Sequence, residues 1–181
     1  LVDEKQAFYF LEMNTRVQVE HPVTELITNV DIVKTGIRIA AGEPIGFSPG
    51  DLRIDGWAIE CRICAEDPDR GFLPSPGEIV AFEPPGGPGV RVDSGVSAGA
   101  KVTAFYDPMI AKLVCWGRSR DEALERTRRA LGELVVRGIK TTIPFHRRVL
   151  ENPVFLSGSY DTSFIATEMS ARAPLESGVA G

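Results

Sequence analysis

Along the chain the spacing of apolar residues changes character from one segment to the next. Ala7-Phe8-Tyr9-Phe10-Leu11 is a continuous aromatic and aliphatic run, too short for a helix, and predicts a buried strand. From Pro22 the period lengthens. Val23, Leu26, Ile27, Val30, Val33, Ile37 and Ala40/Ala41 recur at three- and four-residue steps, which predicts a helix or helix pair over 22–41. Pro22 suits a first helical turn, Asp31 is placed to cap a second piece after a break near Asn29-Val30, and Gly42 and Pro44 end the pattern. The turn-rich stretch Gly46-Phe47-Ser48-Pro49-Gly50-Asp51 marks a boundary.

Beyond that boundary the pattern is β-rich. Strands are expected at Gly56–Ala65, at Glu78–Phe82, at Val90–Val92 after a Pro-Gly cluster, and at Ile110–Trp116. Ser119 and Glu122 then form a capping-box pair ahead of a helix. Its apolar stripe is Ala123, Leu124, Thr127, Leu131, Leu134 and Val135, with Gly138 as the stop. Shorter helices are expected near 144–151 and 163–172, and the tail 173–181 has little reason to fold. The whole reads as α+β, an antiparallel sheet packed with helices. A strand so close to Leu1 needs neighbours to pair with, so the chain is expected to start inside a domain.

Composition narrows the function. The 181 residues carry 20 Lys+Arg against 25 Asp+Glu, a net charge of −5, which gives no support to a nucleic-acid partner. No apolar run approaches the ~18 residues of a membrane span. Three cysteines make no disulfide framework and suit a reducing compartment such as the cytoplasm. Cys61 and Cys64 sit at opposite phases of a strand, so they read as packed thiols rather than a metal or redox pair. Lys112, in an apolar strand, is expected to pair with a nearby acid such as Asp107. The arginines of 118–137 are interleaved with acids and read as a solvated helix face.

Candidate chemistry concentrates directly after the first strand. In Glu12-Met13-Asn14-Thr15-Arg16-Val17-Gln18-Val19-Glu20 every even position is a charged or amide side chain. If the segment is extended, all five project one way over roughly 25 to 28 Å, at ~3.3 Å per residue. A solvated strand face or a salt-bridge ladder would give the same alternation. Against the first, Asn and Glu are weak strand formers, and a mixed row of acids, amides and a base at a strand end is what a charged substrate requires. Glu12 and Asn14 are hard oxygen donors suited to Mg²⁺, Arg16 is a planar fork for a small oxyanion, and a partly desolvated Glu20 could act as a general base. Spacing alone leaves these readings open.

The words themselves resemble a known family. Phe8 to Glu25 is similar to the signature of biotin carboxylase, the ATP-grasp component of biotin-dependent carboxylases. Further matching words follow in order: Glu60-Cys61-Arg62-Ile63, Ala65-Glu66-Asp67-Pro68, Phe72 to Gly77, Tyr106 to Leu113, and Gly138 to Thr142. The resemblance implies the end of an ATP-grasp domain over 1–51 and a biotin carboxylase C-terminal domain over 52–172. It implies a reaction in which ATP phosphorylates bicarbonate and the resulting carboxyphosphate delivers CO₂ to N1′ of biotin on a carrier protein. By motif, Glu12 resembles a metal-binding glutamate at the nucleotide phosphates, with Asn14 beside it. Arg16 resembles the bicarbonate-binding arginine, Gln18 and the backbone of Val19 further bicarbonate contacts, Glu20 the base, and Arg62 the cation facing the biotin enolate, where a fixed charge is worth most. His21 is read as orienting this row.

The cofactors implied are ATP, Mg²⁺ or Mn²⁺ and biotin; the partners are a biotin carboxyl carrier, a carboxyltransferase and a second copy. Met13-Asn14-Thr15-Arg16 and His21-Pro22-Val23-Thr24-Glu25 look more like acyl-CoA carboxylases than pyruvate carboxylase, and Thr142-Ile143-Pro144-Phe145-His146 resembles bacterial acetyl-CoA carboxylase subunits. The family's glycine-rich phosphate loop, ATP-contacting lysines and second metal-binding glutamate have no counterpart here, so this chain alone is expected to be inactive. Where some family members carry an aromatic dimer contact, this sequence has Gly87-Pro88-Gly89, although Arg91 remains. A non-catalytic dimerisation or carrier-docking module, another carboxylase of the family (propionyl-CoA, methylcrotonyl-CoA or pyruvate), and an ATP-grasp ligase of the carbamoyl phosphate type are the alternatives.

Overall fold

The computed structural model describes residues 1–169, and the expected tail at 173–181 and the end of the helix expected over 163–172 lie outside them. The chain divides into two compact units, Leu1–Asp55 and a second starting at Gly56.

In the first unit, α1 (His21–Thr28) and α2 (Ile32–Ala40) form the expected helix pair. The break has two causes. Asn29 adopts the left-handed conformation (φ 57°) and closes α1 by donating its backbone N–H to the Glu25 carbonyl. Asp31 then accepts from Lys34 N at 2.7 Å as the N-cap of α2. Glu25 ties the two together, its Oε1 accepting from Ile32 N at 2.9 Å.

The run 7–11 departs from expectation. Val2 and Phe8 form an isolated antiparallel bridge, Phe8 is 75% and Phe10 70% exposed, and no ladder continues along the segment among the described residues. Its sequence is that of a buried strand, but a strand is buried only by the neighbours it pairs and packs with.

The second unit is built on a three-stranded antiparallel sheet of β1 (Trp57–Cys64), β6 (Val90–Ser94) and β8 (Met109–Gly117), with β8 central. Ile110 to Cys115 are all buried, which explains why β8 reads as a continuous apolar run rather than an alternating one. Two-residue strands β2 (Glu66–Asp67) and β3 (Leu73–Pro74) pair with each other, as do β4 (Gly77–Glu78) and β7 (Lys101–Val102). The strand expected over 78–82 is split. The chain leaves β7 after Glu78, buries Ile79 completely, and resumes as β5 (Ala81–Glu83) against β9 (Val135–Arg137).

Helix α3 (Arg120–Glu133) packs on β8 and β1, with Ala123, Leu124, Thr127, Ala130 and Leu131 buried. The core they share with Ile63, Leu113 and Cys115 is almost wholly sequestered from water. Ser119 Oγ accepts from Glu122 N at 3.2 Å, while Glu122 reaches one residue further back, to Arg118 N at 2.7 Å. The helix stops at Glu133, short of the expected Gly138, because Leu134 turns extended and the next three residues join β5.

The arginines correct the solvated-face reading. Arg120 donates to the Phe155 carbonyl at 2.6 Å and to that of Leu156, Arg128 to the Leu150 carbonyl at 2.9 Å, and Arg126 to the Trp116 carbonyl. They dock the carbonyl ends of neighbouring elements, including α4 (Ile143–Glu151) and α5 (Pro153–Ser157), onto α3. The last described helix, α6, is Phe164–Glu168.

Candidate active site

The polar row lies in the first unit. It bends at Arg16 and turns at Val19–Glu20 into α1. Glu20 is the N-cap of α1 with φ −81° and ψ 7°, so its backbone is not extended, and the alternation expected through Glu20 gives way at this turn. The turn is held by the Gln18 carbonyl, which accepts from His21 N at 3.2 Å and from His21 Nδ1 at 2.8 Å. A carbonyl can only accept, which assigns the ring proton to Nδ1. His21 therefore orients the end of the row. Pro22, locked at φ near −65°, starts the helix behind it and is buried.

Glu12, Asn14, Arg16 and Glu20 are exposed, while Gln18 and Val19 are half-buried. The Arg16 guanidinium donates to the Val17 carbonyl at 3.4 Å. Glu20 makes no side-chain cap to α1. Among the described residues no three His, Cys, Asp or Glu side chains converge as a metal cage. Glu12 and Asn14 offer two hard oxygens, a donor set that fits a cation retaining water and phosphate ligands.

Arg62 lies in the second unit, on β1, with its side chain 52% exposed. Glu60, two residues earlier and so on the same face, is only 6% exposed and places Oε1 3.9 Å from Arg62 Nε. Directly across the sheet stands Lys112, and beyond it Asp93, in one row: Arg62↔Lys112↔Asp93. Lys112 Nζ meets Asp93 Oδ2 at 3.6 Å, and Arg91 grips the same carboxylate with Nε and Nη2 at 2.8 Å each. The Arg91 hydrogen bonds hold the Asp93 carboxyl below the usual range, against the opposing effect of burial.

This corrects the expected Lys112–Asp107 pair. Asp107 Oδ1 instead accepts from Met109 N at 2.8 Å at the start of β8. Cross-strand register, which sequence distance conceals, selects Asp93. The two like-charged neighbours Arg62 and Lys112 each have a carboxylate close by, so neither faces the other alone.

The backbone of Arg62 is fixed from a third direction. Its carbonyl accepts from Thr142 Oγ1 at 2.9 Å and from His146 Nε2 at 2.8 Å. Thr142 Oγ1 also accepts from Cys64 N at 3.0 Å, and Thr142 N donates to the Cys64 carbonyl at 3.1 Å. Sequence reasoning did not place this pair against Arg62. The available signal was their i, i+4 spacing at a helix start, which puts both on one face.

Cys61, Cys64 and Cys115 are free thiols. Burial pushes Cys61 up to about 12 and Cys64 up to about 11, consistent with packing groups rather than nucleophiles.

Two family models match successive parts of this chain. Residues 60–167 match the biotin carboxylase C-terminal domain, and residues 1–47 match the ATP binding domain of the carbamoyl-phosphate synthase L chain. The chain belongs to the biotin carboxylase family. Its α+β architecture is that of this family, the end of an ATP-grasp domain followed by the biotin carboxylase C-terminal domain.

Biotin carboxylase 1 of Bacillus subtilis is 52% identical over 163 residues, covering 90% of this chain and 36% of the relative. A pyruvate carboxylase polypeptide of Methanothermobacter thermautotrophicus is 54% identical over 158 residues, covering 87% and 32%. Among solved structures, the biotin carboxylase domain dimer of Hydrogenobacter thermophilus 2-oxoglutarate carboxylase, in complex with MgADP, ADP and bicarbonate, is 49% identical with a TM-score of 0.87. That match covers 91% of this chain and 36% of the other. The chain thus spans about a third of the length of these biotin carboxylase relatives. Identity does not separate acyl-CoA from pyruvate carboxylases, since the human mitochondrial propionyl-CoA carboxylase alpha chain is 51% identical and the pyruvate carboxylase relative 54%. No described helix is long and apolar enough to cross a membrane.

Proposed function

We propose that this chain supplies the C-terminal part of an ATP-dependent biotin carboxylase, a ligase that carboxylates N1′ of carrier-bound biotin for a downstream carboxyltransferase. Residues 1–51 form the end of its ATP-grasp domain, and the C-terminal domain follows from residue 52. The observation that carries this reading is the pair of family matches, residues 1–47 across the polar row and residues 60–167 across the Arg62 strand, together with 52% identity over 163 residues to a biotin carboxylase.

In this reading Glu12 and Asn14 hold Mg²⁺ or Mn²⁺, which neutralises charge on the ATP phosphates. Arg16 grips bicarbonate in two parallel hydrogen bonds, with Gln18 and the Val19 backbone completing the cradle. Glu20 takes the bicarbonate proton, which frees the oxygen that attacks the γ-phosphoryl group. In the biotin half-reaction the N1′ proton passes to the phosphate released as carboxyphosphate gives up CO₂, with Glu20 assisting, while Arg62 stabilises the negative charge that develops on the ureido oxygen. Its half-exposed guanidinium, on a strand with a largely buried carboxylate beside it, suits that role because part of the cation remains accessible to solvent. The bound MgADP and bicarbonate of the Hydrogenobacter relative support the same ligand set. The protein pairs with a biotin carrier, a carboxyltransferase and a second copy of itself in the cytoplasm. The resemblance of Met13–Arg16 and His21–Glu25 to acyl-CoA carboxylases supports acetyl-CoA or a related acyl-CoA as the final acceptor.

The test is Arg62→Ala in the complete carboxylase that contains this sequence, assayed with free biotin. Biotin carboxylation is expected to fall by about 10²–10³-fold, the usual effect of removing a donor from developing charge. Intact carboxylation would remove Arg62 from the enolate site. The 181-residue chain by itself is expected to show no bicarbonate-dependent ATP hydrolysis.

A further inference from the structure

We infer that Thr142 and His146 are positioning residues for Arg62, acting together as a clamp on its carbonyl oxygen; this rests on the reading of Arg62 given above. A half-exposed guanidinium on a long side chain loses aim easily, and about an ångström of misplacement at a reacting centre costs rate. At the side chain Glu60 Oε1 lies 3.9 Å from Arg62 Nε. Both lone pairs of the Arg62 carbonyl are engaged, by Thr142 Oγ1 at 2.9 Å and His146 Nε2 at 2.8 Å.

The geometry is over-determined. β1 and β8 lose regular register between Ile63 and Cys64, immediately after Arg62. A bulge of this kind re-aims the adjacent side chain and needs its backbone groups satisfied elsewhere. Thr142 does so on both sides of Cys64, donating its N–H to the Cys64 carbonyl at 3.1 Å and accepting the Cys64 N–H on Oγ1 at 3.0 Å. Its hydroxyl proton then points toward Arg62. His146, one helical turn on, adds the second donor from the same face of α4. Because a carbonyl only accepts, Nε2 carries the proton, and burial disfavours the charged ring. Thr142 is 5% exposed, so its hydrogen bonds are shielded from competing water.

The experiment compares Thr142→Val, which keeps shape and removes the hydroxyl, with Thr142→Ser, which restores it, in the complete carboxylase. His146→Leu and His146→Gln form an independent pair, the glutamine keeping an N–H donor. The readouts are kcat and KM for free biotin, and the ratio of biotin carboxylation to bicarbonate-dependent ATP cleavage. Thr142→Val and His146→Leu are each expected to lower that ratio and kcat for biotin about tenfold, with serine and glutamine recovering most of the loss. If Thr142→Val does not fold, the His146 pair decides. A fall in both activities in equal proportion, or no rescue by the donor-keeping variants, would assign the clamp a purely structural role and overturn the inference. If Arg62→Ala abolishes carboxylation while both clamp variants keep full kcat, the inference fails and the Arg62 reading survives. If Arg62→Ala is itself harmless, the parent reading fails.

Discussion

Gly138→Ala and Gly132→Ala are the same substitution on nearly adjacent stretches of chain, and the structure gives them opposite signs. Gly138 follows β9 with φ +101°, a region that L side chains rarely adopt. A Cβ at this position would overlap the Glu78 carbonyl oxygen and sit 2.9 Å from Val80 N, both main-chain atoms. Relief requires the chain between β4 and β5 to move, yet that chain carries Ile79, which is fully buried. Forcing the sparsely populated conformation costs ~1–3 kcal/mol, and displacing packed backbone adds to it, so a loss of about 3 kcal/mol or more is expected. Gly132 lies in the last turn of α3, and a methyl group added there would meet nothing within 4 Å. Alanine there limits the unfolded chain and favours the helix by about 0.5–1 kcal/mol. In thermal unfolding of the chain these values translate to a Tm lower by about 10 °C for Gly138→Ala and higher by about 2–4 °C for Gly132→Ala. Chemical denaturation with an unchanged slope would show that each variant alters stability without altering the surface exposed on unfolding. Equal shifts for both variants, or a Gly138→Ala protein melting within about 2 °C of the parent, would refute the steric reasoning.

Asp93 gives an acid-sensitive contribution. Its folded pKa is depressed by Arg91, so the stability it adds is present above the unfolded carboxylate value of about 3.9 and is lost as pH falls through the lower folded value. The stability gap between the parent and Asp93→Asn should therefore close below about pH 4, and a gap that persists in acid contradicts the ion-pair assignment. Arg120→Ala should lower stability by about 2 kcal/mol by freeing the Phe155 and Leu156 carbonyls, measurable by urea unfolding. Cys61, pushed up to about 12, should resist iodoacetamide in the folded chain at mildly alkaline pH and react once unfolded; mass spectrometry of the labelled thiols reads this directly.

Local features were legible wherever neighbouring residues in sequence decide them. The break between α1 and α2 depends on Asn29 and Asp31, both in place within a turn of the groups they satisfy. The start of α3 depends on Ser119 and its own first turn. The alternation of Glu12 to Glu20 drew attention to a row whose straightness the turn at Val19–Glu20 then limited, because Pro22 and His21 commit the chain to a helix.

By itself the sequence determined the helix stripes, the strands of the three-stranded sheet, the family and the residues proposed for chemistry, since caps, periodicity and motif spacing are local properties. Only the tertiary structure decided which charge neutralises Lys112, which carbonyls the α3 arginines hold, and that Thr142 and His146 converge on Arg62. Each of those depends on strand register or helix docking between residues far apart in the chain, some 80 positions in the case of Thr142 and Arg62. Such pairings are selected by burial and hydrogen-bond satisfaction of the whole core, and they leave no periodic trace along the chain.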